Sequence, residues 1–237
     1  MSENKIGKYI KYALGEILLV MIGILLALQV NNWNEDRKFK AIEKEIYNNL
    51  ITSLQKDSIE LRRIINFQSR SLRCQKSIIT NSFVSLRDSL GSTNRLGSVI
   101  KDIDLGGISF FPKYGAYNTI ISESRMQIIK SDSLKSMLIE LYDYKYKRYQ
   151  SVDNILDEKY FNELDPFLIE KIGLIEGEFG YFLKGIDVKL LEKNYNELVE
   201  ECGKLSKLSY ASFHQLNTMS DDVNRLLVVL NKEISNI

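Results

Sequence analysis

Proline is nearly missing from this chain: Pro112 and Pro166 are the only two in 237 residues, and glycine adds just thirteen more breakers. A sheet protein needs turn residues every ten positions or so, and such a scarcity excludes one. Between Ile24 and Leu90 there is neither proline nor glycine, so nothing in that stretch stops a helix on chemical grounds. Histidine occurs once, at His214, with no cysteine or paired carboxylate at ligand spacing, which removes both a zinc site and a serine-type triad. Cysteine occurs twice, as Cys74 and Cys202; two are too few for a disulfide framework, and the spacing leaves their pairing open. An excess of one charge is also lacking. With 32 basic against 31 acidic residues the net charge is +1, so no global field favours nucleic acid, and any electrostatic partner is read from local patches.

The chemistry-bearing motifs are missing as well. No phosphate loop, dinucleotide glycine fingerprint, nucleophile elbow or metalloprotease helix occurs, and no repeat or low-complexity tract is present. Asp102-x-Asp104-x-Gly106-Gly107 matches the start of a calcium loop, but Gly106 holds its fifth position and Lys113 its twelfth, where a bidentate glutamate belongs. The expectation is a protein with no catalytic residue, no cofactor and no metal, and therefore not an enzyme.

What the chain does have is one long apolar run. Residues 13–30, ALGEILLVMIGILLALQV, carry only Glu16 and Gln29 as strongly polar groups. Eighteen helical residues at 1.5 Å each cover roughly 27 Å, and Tyr12 and Trp33 at the two interfaces complete a bilayer's hydrocarbon thickness. Gln29-Val30-Asn31-Asn32-Trp33 offers no small-x-small cleavage site, so the run reads as a signal anchor. Lys5, Lys8 and Lys11 stand against Glu3 on the short tail, while charges beyond Trp33 are balanced. The asymmetry leans toward a cytoplasmic tail with everything from Asn34 outside, a single-pass bacterial inner-membrane protein with a periplasmic C-terminal part.

Past the span, apolar residues at Phe39, Ile42, Ile46, Leu50, Leu54, Leu61, Ile65, Leu72, Ile79 and Leu86 fall at helical spacings. The expected organisation is a tail over 1–12, a transmembrane helix over 13–33, and a long amphipathic helix over 34–86. A loop over 87–113 follows, punctuated by Gly91, Gly97, Gly106, Gly107 and Pro112. A helical bundle over 114–237 then packs on the long helix. Within it, Ser131-Asp132-Ser133 caps a helix running to about Leu164 and Asp165-Pro166 restarts the chain. Gly173, Gly177, Gly180 and Gly185 break it, and Asp187 to about Leu216 reads as one helix or a helix pair hinged near Gly203. Ser220-Asp221-Asp222 caps the last one. The fold class is all-α: an antiparallel bundle built on the first helix.

The words Ala13-Leu14-Gly15-Glu16 and Gln29-Val30-Asn31-Asn32-Trp33-Asn34-Glu35 carry a resemblance to an uncharacterised family of single-pass bacterial membrane proteins, classed as a domain of unknown function. The stretch from Tyr117 to Tyr142 is similar to it in helical order. The resemblance implies a membrane anchor followed by a helical domain and no catalytic residues.

Two side-chain sets stand out. Ala13, Glu16, Val20, Gly23 and Ala27 repeat at three- and four-residue spacing, so a carboxyl shares a face with small residues that permit close helix contact, and this is the candidate face for helix association. The alternative is a Glu16 that reaches the headgroups beside Lys5 or Lys11. Between Glu60 and Asp88 there is no acid, and Arg62, Arg70, Arg73 and Lys76 share a third of the helix circumference opposite Leu61, Ile65 and Leu72. They form either a candidate face for an anionic partner or a solvated face paired with the acids of Asp153-Asp157-Glu158 or Glu197-Glu200-Glu201. Tyr142, Tyr146 and Tyr149 continue a stripe from Leu138 and read as core. The leading expectation is a membrane-anchored scaffold or interaction subunit. Its partners are membrane lipid and either another copy or another membrane protein, with no nucleic acid. The rival is an extracytoplasmic ligand-sensing domain, which a pocket at the 87–113 loop or at the Gly173–Gly185 break would favour.

Overall fold

The computed structural model of the protein describes residues 3–177 and 183–237; Gly180 lies outside them, as do the side chains of Lys5, Lys8 and Lys11. The first helix, α1 (Glu3–Thr80), is 78 residues long, about 117 Å at 1.5 Å per residue. It stops where Ser82 turns extended and its side chain accepts from the Ser85 amide, starting α2 (Phe83–Leu90). The first helix thus ends six residues short of the boundary expected at Leu86.

The segment expected to be a loop is mostly helical. Gly91 closes α2 in the left-handed conformation and Ser92 caps α3 (Thr93–Asp102) through the Arg95 amide, two local signals that outweigh the lack of a long apolar period. Leu96, Gly97, Ile100 and Ile103 are buried, which supplies the tertiary reason for the helix. A 3₁₀ turn (Asp104–Gly107) follows. The one long irregular run among the described residues is 108–114, which leads to α4 (Gly115–Ser122) and a second 3₁₀ turn (Arg125–Ile128).

Ser131 caps α5 (Asp132–Ile139) through the Leu134 amide, as expected from the sequence. The chain then stays helical through α6 (Tyr146–Lys159) and α7 (Asp165–Glu170), joined by π turns at Glu140–Lys145 and Tyr160–Leu164. Pro166 follows the second π turn directly, where the widened ladder absorbs a residue with no N–H; the expected restart at Asp165 is a continuation instead. A hairpin of β1 (Leu174–Glu176) and β2 (Leu183–Ile186), antiparallel with Leu174 opposite Ile186, replaces the expected glycine-broken stretch and is a small exception to an all-α fold. Asp187 then caps α8 (Val188–Ser235), 48 residues without a break. Of the two readings of this length, the single unhinged helix is the one present, and it runs on through Ser220 with no new cap there.

The bundle has three long members: α1, the α5–α7 run and α8. Contacts Ser58 to Asn224, Gln75 to Ser209 and Tyr195 to Ile78 set α8 antiparallel to α1. Two apolar cores result. One lies between Ile46–Ile64 side chains of α1, the tyrosine stripe and the end of α8; the other gathers Ile78, Ile100, Leu156, Leu168, Leu191 and Leu198. Between them is a buried polar waist of Gln68, Ser71, Gln75, Tyr160, Ser209 and Ser212. Gln75 Nε2 reaches Tyr160 Oη at 3.0 Å, and Gln68 Nε2 donates to the Gly106 carbonyl at 2.7 Å. Gly106 has to be glycine for that approach, since a Cβ there would sit 2.0 Å from Tyr160 Oη.

Candidate functional site

Residues 12–33 are exposed throughout, and the side-chain contacts they make beyond the segment, Asn31 to Glu35 and Trp33 to Arg37, stay within α1. Leu14, Leu19, Leu25, Val30 and Trp33 are each more than half exposed, at 61, 74, 60, 63 and 65 %, and this length of α1 is the one described helix long and apolar enough to cross a bilayer. Monomeric soluble proteins do not leave an apolar surface of this extent bare. Ala13, Glu16 and Val20 line one shallow face with Ile17 and Ile24. Gly23 continues that face, and a Cβ built on it would meet nothing within 4 Å; Ala27, a turn further on, is likewise exposed. The structure therefore leaves the candidate association face open along its whole length.

The basic set divides. Arg70 is engaged, its guanidinium held by both Asp102 oxygens at 2.8 Å, so a fold contact claims it. The acids that sequence reasoning offered as partners do other things: Asp153 accepts from Tyr149 Oη at 2.7 Å, Asp157 from Ser109 and Glu201 from Lys204. Arg62, Arg73 and Lys76 stay exposed, and among the described residues none of the three has a carboxylate within ion-pairing distance. Arg73 and Lys76 border an open groove of about 440 Å³ between α1 and α8, with Leu72, Ile79, Tyr210 and Phe213 as its apolar surface. Leu72 and Ile79 belong to the apolar stripe that the sequence shows along α1. The inward positions of α1 are instead Gln68, Ser71 and Gln75, so the apolar stripe slides to the side of the helix and faces the groove.

A second cavity, about 700 Å³, opens between α1 and α4. Pro112, Lys113, Tyr114 and Gly115 border it on one side and Glu45, Asn49, Ser53 and Lys56 on the other. Behind it the 108–114 run is clamped: the Lys113 amide donates to Asp57 Oδ1 at 3.0 Å, Ser53 Oγ donates to the Lys113 carbonyl at 2.8 Å, and the Phe110 amide donates to Tyr149 Oη at 3.1 Å. Tyr146 Oη donates to the other Asp57 oxygen. Burial pushes the Asp57 carboxyl above the ordinary carboxylate range, with the two hydrogen bonds opposing. Burial likewise raises Asp153 to about 6, against hydrogen bonds from Tyr149 and Ser109, while the neighbouring Asp157 charge pushes it further up. All these groups are held in structural bonds.

Tyr142, Tyr146 and Tyr149 are fully buried, and Tyr142 stacks on Tyr117 at 4.4 Å. Cys202 is a free thiol buried in the second core and Cys74 a half-buried one packed against it, raised by burial to about 12 and about 11 respectively, and so both behave as small apolar residues. Asp102 and Asp104 are ion-paired to Arg70 and Lys101. Among the described residues no three His, Cys, Asp or Glu side chains gather as a metal site.

Sequence reasoning missed Tyr210 and Phe213 as surface residues and Asp57 as a buried one. A signal for the first pair was available, because the chain has no acid from Cys202 to Ser220, mirroring the acid-free stretch on α1. No local pattern marks Asp57.

The class defined by these features is an all-α protein whose first helix carries a bare apolar length ahead of a packed helical domain. Residues 16–168 match the model of a family of unknown function, DUF6090, and the chain belongs to that family. The match runs from the apolar length into α7 and leaves the hairpin and α8 beyond it. No curated protein and no solved structure matches the chain.

Proposed function

We propose that the protein is a non-catalytic, membrane-anchored helical interaction subunit. Residues 13–33 cross a bacterial inner membrane once, the tail is cytoplasmic, and the bundle stands in the periplasm. One observation carries the anchor: an apolar surface that is exposed on every side of α1 over some twenty residues, directly ahead of a domain whose other large apolar side chains are mostly packed. The interaction role is supported by the surfaces left open, the Ala13-Glu16-Val20-Gly23-Ala27 face and the groove beside Arg73 and Lys76, together with polar groups that serve packing instead of chemistry. The bilayer supplies lipid contacts to the first surface, and a second copy or another membrane protein supplies the rest.

The experiment is an alkaline phosphatase fusion after Ile237, combined with alkaline extraction of membranes. The fusion is expected to be active in intact cells and the protein to stay in the membrane pellet. A fusion that is made but stays inactive in intact cells reverses the orientation, and extraction into the supernatant removes the anchor. A second reading, ligand sensing, is favoured by the 700 Å³ cavity, which lies at the end of the segment first expected to be a loop. In that case a small molecule bound there would alter the span's association with a membrane partner.

A further inference from the structure

The groove between α1 and α8 has a composition that the fold does not use. Its floor and walls are Leu72 and Ile79 from α1 and Phe213 and Tyr210 from α8, with Tyr210 65 % exposed and Ile79 39 % exposed. Arg73 and Lys76 border it on the α1 side and Ser206 on the α8 side. The two helices that form it are also acid-free along the same length. No Asp or Glu occurs from Leu61 to Arg87 or from Cys202 to Ser220, and the Gln75 to Ser209 contact places these stretches side by side. The surface is therefore apolar in its centre and cationic along one edge, with no carboxylate facing it from either helix.

Gly203 adds an independent observation. It sits inside α8, exposed, one turn from Ser206, and a Cβ there would meet nothing within 4 Å. A glycine in a helix interior costs about 1 kcal/mol relative to alanine, and no contact within the described chain explains this one. Small residues on a helix surface allow the backbone of another helix to come close.

We infer that this groove seats an acidic amphipathic helix of a partner protein, which deepens the interaction-subunit reading and rests on it. The apolar stripe of such a helix, at i, i+3, i+4 and i+7, fills the space over Leu72, Ile79 and Phe213, while glutamates or aspartates along its edge face Arg73 and Lys76. Arg62 extends the same edge toward the membrane. A second copy of this chain is disfavoured by charge, because an isologous contact through this face sets its cations against one another. Lipid is disfavoured by distance: Arg73 lies on the order of 60 Å along α1 from Trp33, at 1.5 Å per residue. A nucleic acid strand needs a continuous cationic track, and the cations here follow only one edge of an apolar floor.

The test places a photo-reactive benzophenone residue at position 210 of the full-length protein in its own membrane, with position 150, exposed on α6, as the control. Adducts are digested and the attached peptide is sequenced. The expected adduct is a segment of another protein bearing acidic residues among apolar ones at helical spacing. The double change Arg73→Glu and Lys76→Glu lowers its yield about fivefold or more. Gly203→Leu, which fills open space without touching the fold, does the same while circular dichroism stays unchanged. Adducts with the same chain, with lipid or with nucleic acid overturn the proposal. So does an adduct unaffected by charge reversal, or a yield at 210 no higher than at 150. Alkaline extraction of the same membranes reports on the anchor independently, so losing the groove adduct and losing the anchor are separate results.

Discussion

Residues 13–30 and residues 46–64 lie on the same helix and are both rich in leucine and isoleucine, yet every apolar side chain of the first length is exposed while Ile46, Tyr47, Leu50, Leu54, Leu61 and Ile64 of the second are buried to 3 % or less. The first is apolar around the whole circumference. The second is apolar on one face, with Asn48, Gln55, Lys56 and Arg62 on the other. A one-sided stripe is satisfied by the rest of its own chain, whereas a helix apolar all round needs a surrounding apolar medium. The difference teaches that α1 is a single mechanical rod serving two solvents, protein interior and, on the proposed reading, lipid.

The sharpest way to break that comparison is to make the same cut in both lengths. Leu54→Ala opens a cavity in a closed core and is expected to cost about 2–5 kcal/mol. Leu18→Ala, at a site 56 % exposed, should leave the unfolding of the detergent-solubilised protein nearly unchanged. Denaturant titration of both variants decides it, and equal losses would mean that residues 13–30 pack against the domain.

Carboxyl groups sharpen the same contrast. Asp153 is held inside protein and its pKa is raised to about 6 from an ordinary 3.8. The folded state thus binds this proton more tightly than the unfolded chain does. The resulting stabilisation is complete below about pH 4 and disappears as pH rises through about 6, an effect of about 3 kcal/mol for one group. Asp153→Asn keeps an acceptor for Tyr149 and should flatten the stability profile of the bundle between pH 4 and 7, read by thermal unfolding across that range. A profile unchanged from the wild type would place the titration elsewhere.

Glu16 belongs to the other medium, and the smallest effect is expected there. Gly23→Leu and Glu16→Leu should each weaken association of the span by about 0.6–2 kcal/mol while insertion is retained, measured by cross-linking in the membrane against Leu18→Ala. Loss no greater than that of the control would make the face ordinary lipid-exposed surface, with Glu16 reaching the headgroups.

How much was legible follows from the range of the forces involved. The anchor-like run, the helical class and the caps at Ser131 and Asp187 depend on interactions within a few residues, so the sequence by itself determined them. It also carried the caps at Ser82 and Ser92, the first obscured by an apolar period that runs on to Leu86 and the second by the glycine-rich composition of 87–113. The candidate basic face was legible in composition but not in its pairing, since Arg70 finds Asp102 thirty-two residues away.

Only the tertiary structure decided which side of α1 turns inward. The apolar residues Ile65, Leu72 and Ile79 suggested one direction, but Gln68, Ser71 and Gln75 take the inner positions because Tyr160 and Ser209 meet them there, the latter 134 residues along the chain. Asp57 became a buried clamp only when residues 108–114 folded back onto it, and the groove exists only because α8 lies beside α1. Periodicity reports that a helix has an apolar side. Which polar groups are hydrogen-bonded inside, and which apolar ones are left at the edge, is set by the partners that distant segments bring, and those partners are not encoded in any local spacing.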